Sequence, residues 1–312
     1  DLTAATLEAA LAVASAAVEA ERRGPLPTRL AVIAMGRFGG HELSYGSDAD
    51  VMFVHEPREG ADAQAAAGAA RDVVNELKRL LALPGSDPAL EIDIGLRPEG
   101  KQGPLVRSLD SYAAYYAKWS AVWEAQALLR AEATVGDRDL CARFTALIDP
   151  LRFPENGIGE HEIREVRRIK ARVDAERLPR GADPATHLKL GRGGLADVEW
   201  TVQLLQMQHA GHVPGLRTTR TLEALDAAVE GELIPHEDAD ALTQAWSMAS
   251  RVRNAIILVR GRASDSLPRD TREKAAVAHL CGYGPGESDE LVNDYLRLTR
   301  RARAVVEHVF WD

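Results

Sequence analysis

Apolar residues recur every three or four positions from Leu2 to Arg22, the spacing of one helical face, and the run stops at Gly24-Pro25-Leu26-Pro27, a helix terminator and linker. The pattern then changes period. "RLAVIAM" (Arg29–Met35) is a short apolar run rich in β-branched residues and predicts a buried strand. "GRFGGHELSYGS" is a glycine-rich turn with room for one turn of helix. "DADVMFV" (Asp48–Val54) predicts a second strand. Asp62–Leu83 predicts a helix broken by Pro84-Gly85-Ser86-Asp87-Pro88, and "ALEIDIGLR" (Ala89–Arg97) alternates as a third strand.

From about Ser108 the strand signal disappears. "SYAAYYAKWSAVWEAQALLRAEA" reads as helix. So do Ile158–Arg177, Gly194–Ala210, Thr219–Gly231, Pro235–Val259, Thr271–Cys281 and Ser288–Phe310, the last with a legible cap at Ser288-Asp289-Glu290. The expected organisation is an N-terminal helix and linker over 1–28, a small α/β unit over 29–150 and an all-helical unit over 151–312. The boundary falls near 135–155, and no repeat or biased tract interrupts it apart from an Ala-rich patch near 64–70.

Composition agrees with a soluble globular protein of about two domains: 312 residues, 46% hydrophobic, 27% charged and 5% aromatic. No uninterrupted apolar run approaches the roughly 20 residues of a membrane span. The chain opens on Asp1 without a signal-peptide pattern, so it is expected to be part of a longer polypeptide. A net charge of −9 argues against a protein that coats nucleic acid, but leaves room for one bound nucleotide. Cys141 and Cys281 lie far apart without ligand neighbours, which argues against structural zinc and for a reducing cytoplasm.

The chemistry is concentrated around the second strand. Side chains two apart on a strand share a face, so Asp48 and Asp50 project together, and Asp93 projects with Glu91, Gly95 and Arg97 on the third. If these strands are neighbours, three carboxylates meet at one edge, a self-repelling cluster that a divalent cation neutralises. Hard oxygen ligands beside a phosphate suit Mg²⁺, and two such ions suit a phosphoryl displacement. Gly39 and Gly40 are expected to let backbone N–H groups approach a phosphate, with Ser47 adding a hydroxyl and Arg37 a charge.

This ordered set resembles the nucleotidyltransferase superfamily typified by DNA polymerase β, and one branch in detail, the glutamine synthetase adenylyltransferases. The family signature Gly-[Met/Tyr]-Gly-Lys-Leu-Gly-Gly-x-Glu-Leu…Ser-Asp-x-Asp is similar to "AMGRFGGHELSYGSDAD". The Val-Asp-x-Arg-Leu-Arg-Pro-x-Gly strand is similar to "EIDIGLRPEG", and two further blocks to "WEAQALLRA" (Trp123–Ala131) and "LKLGRGGLADVEW" (Leu188–Trp200). The likeness spans about residues 29–260. It implies an α+β architecture in which a small mixed-sheet, polymerase β-like nucleotidyltransferase domain precedes an all-α helical bundle. Two departures stand out: Arg37 replaces the usual lysine, and Gly95 replaces an arginine whose phosphate contact would fall to Arg97, Lys101 or Arg107.

The family carries two such units in one chain, one attaching AMP to glutamine synthetase and one removing it. "LSYGSD" and "WEAQALLRA" resemble the attaching, C-terminal unit more closely. The implied reaction moves AMP from ATP to a tyrosine hydroxyl of glutamine synthetase and releases pyrophosphate. Asp48 and Asp50 would ligate two Mg²⁺ ions, with Asp93 ligating one and accepting the tyrosine proton. Gly39, Gly40 and Ser47 would hold the β/γ-phosphates. The implied effectors are the PII signal protein and glutamine, in the cytoplasm. The rivals are phosphorolytic removal of AMP by the same carboxylates, and a degenerate module that only binds a nucleotide or an effector.

In the helical unit, Lys189 and Arg192 precede Gly193-Gly194 at a helix start, a basic turn suited to an anion or to an interdomain contact. Asp197 and Glu199 read as helix caps and ion-pair partners rather than metal ligands, because adjacent helix positions of this spacing do not share a face. His209 and His212 read as surface or C-cap residues, His41 as variable, and "YAAYYAKW" with Trp123 as core packing between the units, with base stacking by Tyr115 or Trp119 as the alternative. The basic stretch from Arg297 to His308 reads as a solvated face of the last helix or as a docking face for regulators or glutamine synthetase.

Overall fold

The computed structural model describes residues 2–85 and 89–312; the Ser86-Asp87-Pro88 part of the anticipated helix breaker lies outside the described residues. The chain divides into two compact units, Asp1–Leu43 with Asp48–Arg152, and Ser44–Ser47 with Phe153–Asp312.

In the first unit, α1 (Leu2–Arg22) is followed by β1 (Thr28–Ala34), the short helix α2 (Gly36–Gly39), β2 (Ala49–Pro57), α3 (Ala63–Leu81), β3 (Ile92–Asp93) and β4 (Arg107–Ser108). Then come α4 (Leu109–Trp119), α5 (Val122–Leu128), β5 (Glu132–Gly136) and α6 (Arg138–Arg152). The sheet runs β3-β2-β1-β5, with β4 also on β2. β1 is antiparallel to β2 and β5, whereas β3 and β4 are parallel to β2, so the sheet is mixed.

Both faces of this sheet are covered, which explains why β1 reads as a continuous apolar run rather than an alternation. Leu30, Val32, Val51 and Phe53 pack with Leu7, Leu11 and Val18 of α1 and Val73, Val74 and Leu77 of α3. Ala31, Ile33, Met52 and Val54, on the opposite face, pack with Tyr112 and Tyr116 of α4 and with Phe144 and Ile148 of α6. By length and composition alone α1 is apolar enough to cross a membrane. Its buried stripe of Leu7, Leu11, Ala14 and Val18 is part of the core.

Several elements depart from the sequence pattern. β5 and α6 occupy a stretch where no strand was expected. Glu132–Gly136 carries only Thr134 and Val135 as strand formers, and its extended state comes from pairing with β1. The helix anticipated through "SYAAYYAKWSAVWEAQALLRAEA" breaks at Ser120, where the Glu124 side chain accepts the Ala121 N–H (2.9 Å) and starts α5. The third strand shrinks to Ile92–Asp93 because the Asp93 carboxylate accepts the Gly95 N–H (2.6 Å), turning the chain out of the ladder. Trp119 and Trp123 are exposed at 64% and 37%, so only the tyrosines of that segment, Tyr112 and Tyr116, belong to the core.

The second unit is helical: α7 (Glu160–Glu176), α8 (Leu195–His209), α9 (Thr221–Glu230), α10 (His236–Arg260), α11 (Thr271–Leu280) and α12 (Ser288–Val306), the last ending in a π-helical turn over Glu307–Trp311. The long α10 packs against α8, α9, α11 and α12. A buried ion network ties three helices: Asp197 of α8 accepts Lys170 of α7 (2.6 Å), Arg303 of α12 (3.0 Å) and the Gly193 N–H (2.7 Å). Lys170 is 1% exposed and its Nζ is paired with both Asp197 and Asp174 (2.6 Å each), the compensation that a buried ion pair needs. Arg303 therefore belongs to this network rather than to a wholly solvated face.

His55 on β2 is buried with Nδ1 3.1 Å from Thr28 Oγ1, and burial holds its pKa below the ordinary histidine value. Because the folded pKa is depressed, the unfolded chain binds more protons as pH falls through about 6.5, and stability present above that pH is lost below it. Thermal unfolding followed from pH 7.5 to 5.5 is expected to show a shallower acid decline in His55→Gln than in the parent. Equal slopes would remove His55 as the cause.

Candidate active site

The site is built on the edge of the sheet where β2 and β3 begin. Their parallel register pairs Asp50 with Asp93, and the Ala49 N–H donates to Glu91 O (2.8 Å) to hold it. Adjacent strands lie about 4.8 Å apart, so two paired carboxylates stand side by side. Asp50 is partly buried, while Asp48 and Asp93 are exposed. Like charges placed opposite one another destabilise a sheet unless a cation lies between them.

The glycine-rich turn packs on this edge. The Met35 N–H donates to Asp50 O (2.8 Å), and Gly36, at φ +52°, lies so close that a Cβ there would run into Asp50 Oδ2. Gly39 and Gly40 do something other than expected. Their N–H groups donate within the turn, to Met35 O (2.9 Å) and Gly36 O (3.1 Å). Their missing side chains make room for Arg130: a Cβ on Gly39 would meet the carbonyl oxygens of Arg130 and Ala34, and one on Gly40 the Arg130 guanidinium. The glycine pair is thus a packing requirement, and its amides are not presented to a phosphate.

Arg130 is the residue that sequence reasoning passed over. Buried at 5% exposure, it donates from Nε to Gly36 O (3.1 Å) and pairs with Glu42, so the turn is clasped from both ends. Its own loop is anchored by buried Arg152, which donates from Nη1 to Leu128 O (3.1 Å) and Ala131 O (2.7 Å). The signal was present in "LLRA", where an arginine sits between apolar residues. Arg37 of the same turn donates from Nε to Glu42 O (2.9 Å), and His41, at φ +55°, pairs with Glu132.

The cations proposed in place of an arginine at Gly95 separate clearly. Arg97 is buried and gives its guanidinium to the carbonyls of Gly103 (3.0 and 3.1 Å), Ile94 (2.5 Å) and Lys101 (3.1 Å), which makes it a brace of the loop after β3. Arg107 pairs with Glu99, donates to Ser111 Oγ (3.2 Å) and lies over the Tyr115 ring, 5.2 Å from its centroid. Lys101 is exposed.

The remaining residues belong with the helical unit. Ser47 groups there with Ser44–Gly46, and among the described residues its Oγ is buried with no hydrogen-bond partner. Lys189 and Arg192 are exposed in the turn before α8. The amides of that turn are used internally: Gly191 N–H to His187 O (2.8 Å), Gly194 N–H to Gly191 O (2.9 Å) and Gly193 N–H to Asp197. The turn offers an anion its two side chains but not a backbone nest. Glu199 accepts the Trp246 indole N–H (3.4 Å), in keeping with a structural role.

For Mg²⁺, the donor set fits in kind: carboxylate oxygens only, two of them facing from neighbouring strands. Among the described residues no group of three acidic, histidine or cysteine side chains closes to metal-holding distance. Asp93 is instead turned onto the Gly95 amide. Asp48 and Asp93 are both exposed and lie outside the packed core.

Residues 1–147 match the family model of glutamate–ammonia ligase adenylyltransferases, and residues 167–311 that of PII-uridylyltransferases. The chain is 61% identical over 311 residues to a bifunctional glutamine synthetase adenylyltransferase/adenylyl-removing enzyme of Streptomyces avermitilis. Over its whole length this chain is similar to glutamine synthetase adenylyltransferases. Proteins of the same name from Streptomyces coelicolor (58% over 312 residues) and Mycobacterium avium (57% over 289 residues) are also similar, covering 100% and 93% of the chain. The chain spans 31% of the length of both Streptomyces relatives and 29% of the mycobacterial one. This similarity agrees with the α+β fold, a mixed sheet with packed helices followed by a helical bundle.

A methyl group on Gly39 meets fixed backbone rather than a mobile side chain. Gly39→Ala is therefore expected to destabilise the chain by about 1–3 kcal/mol in urea unfolding. Gly68→Ala, on open helix surface in α3, is expected to be neutral or stabilising by roughly 0.5–1 kcal/mol. Equal behaviour of the two would contradict the packing role.

Proposed function

We propose that this chain is a unit that transfers AMP from ATP to a tyrosine hydroxyl of glutamine synthetase, releasing pyrophosphate. The observation that carries the reading is the register that sets Asp50 opposite Asp93 beside the glycine-rich turn, within a chain similar to these enzymes. The tyrosine oxygen forms a bond to the α-phosphorus as the bond from that phosphorus to the α–β bridging oxygen breaks. The electron pair leaves with pyrophosphate.

Asp48, Asp50 and Asp93 are the residues that would hold Mg²⁺, two ions in the full arrangement. Bound there, the metal would neutralise the phosphates and ease loss of the hydroxyl proton. Asp93 keeps one oxygen on the Gly95 amide and has the other to take that proton. Ser47, with its unpartnered buried hydroxyl, is the proposed phosphate donor on the approach to Asp48. Lys101 is the cation proposed to stand in for the arginine missing at Gly95, because Arg97 and Arg107 are already engaged. Lys189 and Arg192 remain proposed anion contacts through their side chains alone.

The similarity of residues 167–311 to PII-uridylyltransferases supports regulatory input through the helical unit, with the PII signal protein and glutamine as the proposed effectors. Glutamine synthetase is the proposed protein substrate, in the cytoplasm. The unit is proposed to act within a longer two-unit chain, with neither nucleic acid nor membrane as a partner.

The test is incubation with labelled ATP, Mg²⁺ and unmodified glutamine synthetase. Label is expected on the synthetase, and chelation of Mg²⁺ is expected to abolish it. Asp50→Asn and Asp93→Asn are each expected to lower the rate at least about 100-fold, the scale of a lost electrostatic stabiliser, with little change in Tm. Near parental transfer by either variant would contradict the assignment. Release of AMP from modified synthetase by orthophosphate, with no forward transfer, would show the removing direction instead.

A further inference from the structure

Arg130 and the glycine turn it clasps both lie in the first compact unit, with the strand that carries Asp50. The turn is closed on itself by the Glu42 N–H to Arg37 O (2.8 Å) and by Arg37 Nε to Glu42 O (2.9 Å). Arg130 bridges the two ends of that closed segment, Gly36 O on one side and the Glu42 carboxylate on the other. Its guanidinium rests where a Gly40 side chain would begin, and its carbonyl oxygen where a Gly39 side chain would.

Gly36 is where this clasp meets the candidate chemistry. Met35, the residue before it, is tied by its N–H to Asp50 O (2.8 Å), and the Gly36 backbone lies against the Asp50 carboxylate. Whatever fixes the Gly36 carbonyl therefore limits where that carboxylate can turn. The backbone of Arg130 is itself anchored on both sides. Arg152 Nη1 holds the carbonyls of Leu128 and Ala131, and two residues after Arg130 the chain enters β5, where Glu132 pairs with Ala34 of β1. We propose that Arg130 is a positioning residue for nucleotidyl transfer, holding Gly36 against Asp50 so that the Asp50 carboxylate stays opposite Asp93. This rests on the function proposed above.

The position requires a planar fork. Nε serves the Gly36 carbonyl while Nη2 serves Glu42; a lysine carries one nitrogen on a flexible stem and satisfies one partner at a time. Without the fork the turn keeps its backbone bonds but loses the tie that presses Gly36 onto Asp50. A displacement of about 1 Å at a residue that aligns the reacting groups is enough to cost up to about 100-fold in rate.

The test compares the parent with Arg130→Lys and Gly40→Ala. Arg130→Lys keeps a charge beside Glu42 and loses the fork. In Gly40→Ala the new methyl meets the far end of the Arg130 side chain, at a residue whose φ of −83° accepts alanine, so the fork is dislodged with every partner still present. Urea unfolding checks that each variant is folded, and Gly40→Ala decides alone if Arg130→Lys is not. Hydrogen–deuterium exchange of the Gly40 and Glu42 amides is expected to rise about tenfold in each variant. Mn²⁺ binding without nucleotide, followed by electron paramagnetic resonance, is expected to weaken about tenfold, and the Mg²⁺ concentration giving half-maximal AMP transfer to rise in step. Parental exchange in a folded variant would overturn the proposal. So would a lower rate with parental Mn²⁺ affinity, the outcome of a merely structural role. A parent that transfers no AMP would overturn the function reading instead, and exchange with Mn²⁺ affinity would still decide whether Arg130 sets Asp50.

Discussion

Two negative charges set against each other across a parallel strand pair are the constraint on which the rest depends. Asp50 and Asp93 gain nothing from one another; their pairing weakens the edge of the sheet it sits on. The surrounding structure tolerates this because β1 and the body of β2 are buried on both faces, by α1 and α3 on one side and α4 and α6 on the other. A stable double-sided core lets a strained polar edge persist where the proposed function would put a cation and a triphosphate.

The same logic runs through the glycine turn. A buried arginine, Arg130, is neutralised by Glu42 and uses the room that Gly39 and Gly40 leave. Breaking this clasp by removing one partner would leave a buried charge without compensation, a much larger penalty than loss of a surface pair. The helical unit repeats the device in its Lys170–Asp197–Arg303 network, where the carboxylate also takes a backbone amide of the second glycine turn. In both units, a charged pair in the interior fixes a loop that carries candidate chemistry.

Much of this was legible from residues alone. The helical periods of α1, α3 and α7 to α12 were strong because long amphipathic stripes leave little ambiguity, and the strand carrying Asp-x-Asp was marked by its apolar run. Other features needed the tertiary structure. β5 has too few strand-forming residues to announce itself and exists because β1 has an open edge. The purpose of Gly39 and Gly40 was hidden because a glycine pair looks the same whether it admits a ligand or a distant arginine; only the approach of Arg130, ninety residues on, separates the cases. Arg97 lay on the right strand at the right parity, but carbonyls exposed by the turn after Asp93 claimed its donors.

The most direct measurement is anomalous diffraction from crystals of the chain grown with Mn²⁺ and a non-hydrolysable ATP analogue. The account predicts a manganese peak bridging the carboxylates of Asp50 and Asp93, with Asp48 turned toward it. A bound nucleotide with manganese away from Asp50 and Asp93 would contradict it.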